Sequence, residues 1–194
     1  MRNLPTLGKF LGSVSLANDE SGTPVPLLFR PLHVELKGLV IIMGEYWRDL
    51  RELVGHMPIL VCGASVIVEN SKGEILLQLR KDNNCWAYPG GLVDVNEVVE
   101  EAAKRELTEE TGIVAHSLQL FGVFSGKELY HIYPNGDEVS IVDVVYVCKN
   151  FSGNIKADNI ECADAKFFPI DKLPENMSPP VVSAISKYLD SRAI

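Results

Sequence analysis

An α+β sandwich is the fold class that this sequence predicts, and three observations predict it. Between Gly90 and Gly112 the apolar positions Val98, Val99, Ala102, Ala103 and Leu107 recur at helical spacing among good helix formers, and Gly112 supplies a stop. Apolar, β-branched runs such as Ile59 to Glu69 and Val139 to Cys148 read as strands. Turn signals at Asn70 to Gly73 and at Pro134-Asn135-Gly136-Asp137 separate such runs at hairpin distance. Strands and helices thus come in mixed order, and 194 residues are enough to close them over one sizeable core.

Taken in order, residues 1–42 stand apart, because Pro5, Gly8, Gly12, Gly22, Pro24, Pro26 and Pro31 punctuate them and no long period emerges. They read as an N-terminal extension with little order beyond a short strand at His33 to Ile42, or as the product of a start codon set too early. Residues 43–56 form an amphipathic helix, with Tyr46, Trp47, Leu50, Leu53 and Val54 as its apolar stripe and Gly55 as its stop. That stripe suits core packing or a contact between two copies, with a substrate-facing role for Tyr46 or Trp47 as the alternative.

Ile59 to Glu69 and Glu74 to Arg80 pair as a hairpin around Asn70 to Gly73. Trp86-Ala87-Tyr88-Pro89 leads into the central helix, its aromatics serving as wall or core. After the helix come strands at Ser117 to Ser125 and Glu128 to Tyr133, then the Asn-Gly turn and the apolar return strand Val139 to Cys148. Asp143, inside that run, is a satisfied buried acid or a polar group on the active-site side. Phe151 to Ala157 and Ala163 to Phe168 add two strands, and a helix from Pro179 to Leu189 closes the chain.

Composition narrows the class. The chain is 46% hydrophobic and 23% charged, as ordinary soluble proteins are, and no apolar run approaches the length of a membrane helix. A net charge of −8 disfavours a protein that binds nucleic acid or anionic membrane by electrostatics. The four cysteines, Cys62, Cys85, Cys148 and Cys162, lack metal-ligand spacing and read as buried reduced thiols in a cytoplasmic protein. The start of the chain, with its short and broken apolar stretch, is not read as a signal peptide.

The chemistry lies on the central helix. At about 100° per residue, Glu106, Glu109 and Glu110 share roughly one third of its circumference. Side by side, such carboxylates repel by about 1 kcal/mol per pair in water and by several in a cleft, unless a cation sits among them. Hard oxygen donors with room for water suit Mg2+ or Mn2+, which also reconciles an acidic protein with a phosphate substrate. A solvated acidic face is the plain alternative.

Gly91, then Glu97 after five residues, then Arg105-Glu106-Leu107-Thr108-Glu109-Glu110-Thr111-Gly112-Ile113 after seven more, resembles an unbroken Nudix box. The resemblance implies a Nudix-type α/β/α sandwich with a mixed β-sheet, a hydrolase domain over 57–194, and metal-dependent cleavage of a diphosphate bond in a nucleoside diphosphate derivative. It implies Glu106 and Glu110 as metal ligands, Glu109 as ligand or base, and the Gly91 carbonyl as a further ligand. Arg105 and Glu97 orient the site, Arg105 tying Glu101 and Glu109 from one helical turn on either side, while Gly112 ends the helix. Glu161 is the candidate for one more catalytic glutamate after the box, ahead of Glu128, Glu138 and Asp158. Arg80, Tyr88 and Tyr130 are candidate substrate contacts, with His131 and Tyr133 beside the last. Asn96 stands where many relatives have glycine, and asparagine tolerates the left-handed backbone that such a turn needs.

A small nucleotide is the expected partner, ADP-ribose or a nucleotide sugar ahead of a nucleoside triphosphate such as 8-oxo-dGTP, and a homodimer is compatible with the family. Removal of pyrophosphate from RNA is disfavoured by the acidic charge. A nucleotide sensor that binds without cleaving is the reading from a different class; the complete set of box glutamates argues for catalysis.

Overall fold

The computed structural model describes residues 46–133, 135–158 and 160–192, so the expectations for residues 1–42 and for Pro134 lie outside the described residues. Helix α1 (Tyr46–Val54) ends at Gly55, whose φ of 62° and N–H to the Arg51 carbonyl at 2.8 Å make the expected stop. Its apolar stripe does not enter the core: Tyr46 and Trp47 are exposed and Leu53 is 84% exposed. Arg51 holds the helix instead, donating to the carbonyls of Gly55, Met57 and Glu138 at 2.7–2.9 Å.

The strands are β1 (Ile59–Val68), β2 (Ile75–Arg80), β3 (Trp86–Ala87), β4 (Gly90–Leu92), β5 (Ile113–Phe124), β6 (Tyr130–Ile132), β7 (Glu138–Gly153) and β8 (Cys162–Phe168). With them come the box helix α2 (Val99–Thr111) and the closing helix α3 (Pro179–Arg192). One sheet runs β4-β1-β7-β5, with β6 on β7; β1 and β7 are parallel and the other pairs antiparallel. The other runs β3-β2-β8.

Alternation along β1 feeds two cores. Ala64, Val66 and Val68 face Ala102, Ala103 and Leu107 of α2, whereas Ile67 joins Val181, Ala184, Ile185 and Tyr188 of α3. The two alanines let α2 approach the strand closely, and burying Leu107 contributes about 2 kcal/mol. Helices cover mixed sheets on both sides, as the sandwich requires.

Several local expectations change. β1 and β2 keep the turn at Asn70 to Gly73 but only one bridge, Glu69 to Ile75, and then part into different sheets. Both edges of β1 are already taken, Ser65 pairing with Gly90 of β4 and with Val145 of β7. Phe151 to Ala157 is not a separate strand, since β7 runs on to Gly153 opposite Ile113. Lys127–Leu129 is a 3-10 turn, which leaves β6 only three residues. Trp86, Ala87 and Tyr88 are buried, and so are Cys148 and Cys162, but Cys62 is exposed and Cys85 half-buried, all four as free thiols. Among the described residues no helix is long and apolar enough to cross a membrane.

Candidate active site

The turn before α2 survives the replacement of glycine, because Asn96 takes a φ of 68°. It brings Glu97 against α2, where Arg105 grips it twice, Nε to Oε1 at 2.7 Å and Nη2 to Oε2 at 2.9 Å. The same guanidinium donates to Glu106 at 2.7 Å, Glu109 at 3.2 Å and the Leu92 carbonyl at 3.2 Å. Arg105 holds the Glu97 carboxyl below the usual carboxylate range. The expected tie to Glu101 is absent; Lys104 takes Glu100 and Glu101 instead, each at 2.9 Å.

At the far end of α2, Gly112 caps the helix in the left-handed conformation, φ 72°, its N–H on the Thr108 carbonyl. Of the two glycines of β4, Gly91 faces the helix, whereas a Cβ at Gly90 would run into Ser65 of β1. A Cβ at Gly91 would stand 2.5 Å from both carboxylate oxygens of Glu106, so only glycine allows this approach. The Gly90 N–H donates to Glu110 Oε2 at 2.8 Å.

The three helix carboxylates do not share one environment. Glu109 is exposed and Glu106 partly buried, while Glu110 is only 4% exposed. Burial pushes the Glu110 carboxyl up to about 8, against the Gly90 N–H that favours its charge. Burial also raises Glu106; Arg105 opposes that rise, and Glu109 and Glu161 add to it. Among the described residues no three His, Cys, Asp or Glu side chains already converge on a metal position. The donor set still fits a hard divalent cation, because it is all oxygen and Glu106 lies directly over Gly91 with no side chain between them.

A cavity of about 820 Å3 opens beside these residues. Gly91, Arg105, Glu106, Glu109 and Glu161 form one part of its wall; Trp47 and Arg51 of α1, with His131 and Tyr133 of the β6–β7 hairpin, form another. Arg51 and His56 both meet Asp137 in that hairpin, at 3.5 and 2.8 Å, which fastens α1 beside the cavity. Asp143 is both a satisfied buried acid and a cavity residue, accepting from Ser65 Oγ at 2.8 Å and from the Tyr88 hydroxyl at 2.9 Å.

Of the other residues that the sequence singles out for this site, Arg80 reaches the cavity, its guanidinium paired with Asp82 at 3.0 and 2.9 Å. Tyr88 belongs to the wall, buried and committed to Asp143. Tyr130 does not line the cavity: its ring is 41% exposed and its hydroxyl bonds Glu138. Strand alternation turns His131 and Tyr133 inward in its stead. Arg51, which also lines the cavity, was not foreseen and carried no signal, being one charge on a polar helix face.

Comparison with known proteins agrees with this geometry. The sequence model of the NUDIX domain matches residues 60–188. An ADP-ribose pyrophosphatase of Methanocaldococcus jannaschii is 36% identical over 131 residues, 66% of this chain and 72% of that one. A putative 8-oxo-dGTP diphosphatase of Bacillus subtilis is 38% identical over 117 residues, 60% of this chain and 72% of that one. The crystal structure of a MutT NUDIX hydrolase from Burkholderia pseudomallei superposes with a TM-score of 0.56 at 30% identity, covering 66% of this chain and 97% of that one.

Proposed function

The chain belongs to the Nudix family of hydrolases, and from that premise we propose that it cleaves the diphosphate bond of a nucleoside diphosphate derivative, ADP-ribose or a nucleotide sugar ahead of a nucleoside triphosphate. The observation that carries the preference is the single cavity that joins the box carboxylates to the aromatic wall of α1 and the β6–β7 hairpin. In this reading the diphosphate lies at Glu106 and Glu109 and the group attached to it lies along the wall of Trp47, His131 and Tyr133. The likeness to an ADP-ribose pyrophosphatase supports the same choice. The triphosphate reading draws on the likeness to a putative 8-oxo-dGTP diphosphatase.

In this reading Glu106, Glu109, Glu110 and the Gly91 carbonyl hold Mg2+ or Mn2+. Such a cation, when bound, neutralises charge on the phosphoryl oxygens and eases deprotonation of water. Glu109 or Glu161 accepts the proton of the attacking water, both being cavity residues. Arg105 keeps Glu106 and Glu109 aimed through its grip on Glu97. Arg80 meets the substrate phosphate, giving up part of its pairing with Asp82. The free thiols suit a cytoplasmic setting.

The test is product release from ADP-ribose, nucleotide sugars, 8-oxo-dGTP and ordinary triphosphates, with Mg2+, with Mn2+ and with chelator. Metal-dependent release of AMP from ADP-ribose is the expected result. Pyrophosphate from triphosphates alone would overturn the preference, and tight binding without turnover would overturn catalysis.

A further inference from the structure

β1 runs through the middle of its sheet, paired on one edge with β4 and on the other with β7, yet it carries Gly63 opposite Leu92 and Asp143. A glycine inside a strand gives up packing and costs backbone entropy, and it often marks a bulge or a close approach. The backbone does not account for this one. Gly63 is not among the residues with positive φ, and both pairings run past it without a register shift. The atoms nearest to a Cβ at this position would be Asp143 Oδ1 at 3.2 Å, Ile141 Cγ2 at 3.4 Å and the Gly91 carbonyl oxygen at 3.7 Å, the last an ordinary contact. No main chain therefore comes close enough to require glycine. What the missing side chain leaves is a notch in the cavity wall, with a carboxylate oxygen on one side and a carbonyl oxygen on the other.

Asp143 is 6% exposed, and its hydrogen bonds come from two neutral hydroxyls, Ser65 on Oδ1 at 2.8 Å and Tyr88 on Oδ2 at 2.9 Å. Among the described residues no Lys or Arg pairs with it. A carboxylate has about four acceptor positions, so each oxygen keeps capacity, and Oδ1 is the one beside the notch. Two acceptors around one opening repel phosphate oxygens and welcome hydroxyl donors. The Gly91 carbonyl, read above as a cation ligand, sets the notch beside the diphosphate, so the group that enters is the sugar joined directly to it rather than a base further along. We propose that Asp143 is a substrate-binding residue that accepts hydrogen bonds from the vicinal hydroxyls of that sugar through the opening left by Gly63. Acidic side chains hold ribose hydroxyls in dinucleotide sites by the same chemistry. The proposal rests on the reading of a nucleoside diphosphate derivative as substrate. Both the ribose of the nucleoside and a terminal sugar carry such hydroxyls, and the test separates them.

In the full chain with Mg2+, kcat/KM for ADP-ribose is compared with that for two analogues, one built on 2′,3′-dideoxyadenosine and one whose terminal ribose lacks the hydroxyls at carbons 2 and 3. Wild type is expected to lose about 10- to 100-fold on the analogue whose missing hydroxyls belong at Asp143. Asp143→Asn, which keeps the shape and removes the charge, should lose about tenfold on ADP-ribose and nothing further on that analogue, which names the sugar. Gly63→Ala should behave alike, because its Cβ occupies the notch while the carboxylate keeps its charge, and it supplies the answer if Asp143→Asn does not fold. Variants that melt lower and slow all three substrates by one common factor would show a structural role alone and overturn the proposal. Equal turnover of all three by wild type overturns the sugar contact and spares the proposed function. Turnover of none of them overturns both.

Discussion

Replacing Glu110 by Gln is expected to make the metal-free protein more resistant to alkaline unfolding while removing most of its turnover. Glu110 is 4% exposed, and burial raises its carboxyl from an ordinary 4.5 to about 8 in the folded chain. A folded-state value above the unfolded one means that the native chain binds the proton more tightly. The stabilisation is fully present below about pH 4.5 and is lost as the pH rises through about 8. At about 1.4 kcal/mol per tenfold change in proton affinity, the whole displacement is worth about 5 kcal/mol. About 3 kcal/mol of it falls between pH 6 and pH 9. Glutamine keeps the shape and an oxygen for the Gly90 N–H but has no proton to lose. Urea unfolding in chelator at the two pH values, for wild type and variant, measures the difference directly. With a slope of about 2 kcal/mol per molar urea, the wild-type midpoint should fall by roughly 1.5 M relative to the variant. A stability difference that stays constant from pH 6 to pH 9 would refute the reasoning, because Glu110 would then be charged in both folded and unfolded chains. Turnover of Glu110→Gln should drop at least about 100-fold, since the site loses a charged oxygen donor.

Arg105→Lys should cut turnover roughly 10- to 100-fold, because one ammonium cannot grip both oxygens of Glu97 while reaching Glu106; wild-type rates would show that the fork is dispensable. Gly91→Ala should lose turnover with little change in a melt, since its Cβ would stand 2.5 Å from the Glu106 oxygens and push that carboxylate aside, and an alanine variant with wild-type turnover would contradict that packing. Deleting residues 1–42 should leave a folded and active enzyme, checked by circular dichroism and turnover, with insolubility counting against residues 57–194 as a self-sufficient domain.

How much of the site was legible follows from how far each signal travels along the chain. The spacing of Val99, Ala102, Ala103 and Leu107 sets the buried side of α2, so the glutamates at 106 and 109 had to stand together on its open face. Asn96 and Gly112 took the left-handed turns that their chemistry allows. Arg105 was legible as a clamp on Glu109, but its grip on Glu97 in place of Glu101 was not. Glu101 and Glu109 are equally spaced from it, and only the folded loop offers Glu97 as the better acceptor. The stripe on α1 read as core packing or a contact between two copies, and Tyr46, Trp47 and Leu53 stand exposed, because periodicity reports amphipathicity without saying what lies opposite.

The sequence by itself determined the box helix, its Gly112 stop and the family, because those depend on contacts within a turn or two of helix, where covalent spacing decides geometry. The tertiary structure alone decided that β2 leaves β1 for a second sheet, that Tyr133 rather than Tyr130 faces the cavity, and that Glu110 is buried while Glu109 is not. Each of these turns on which distant strand occupies an edge or covers a face, and such long-range contacts leave no local period to read.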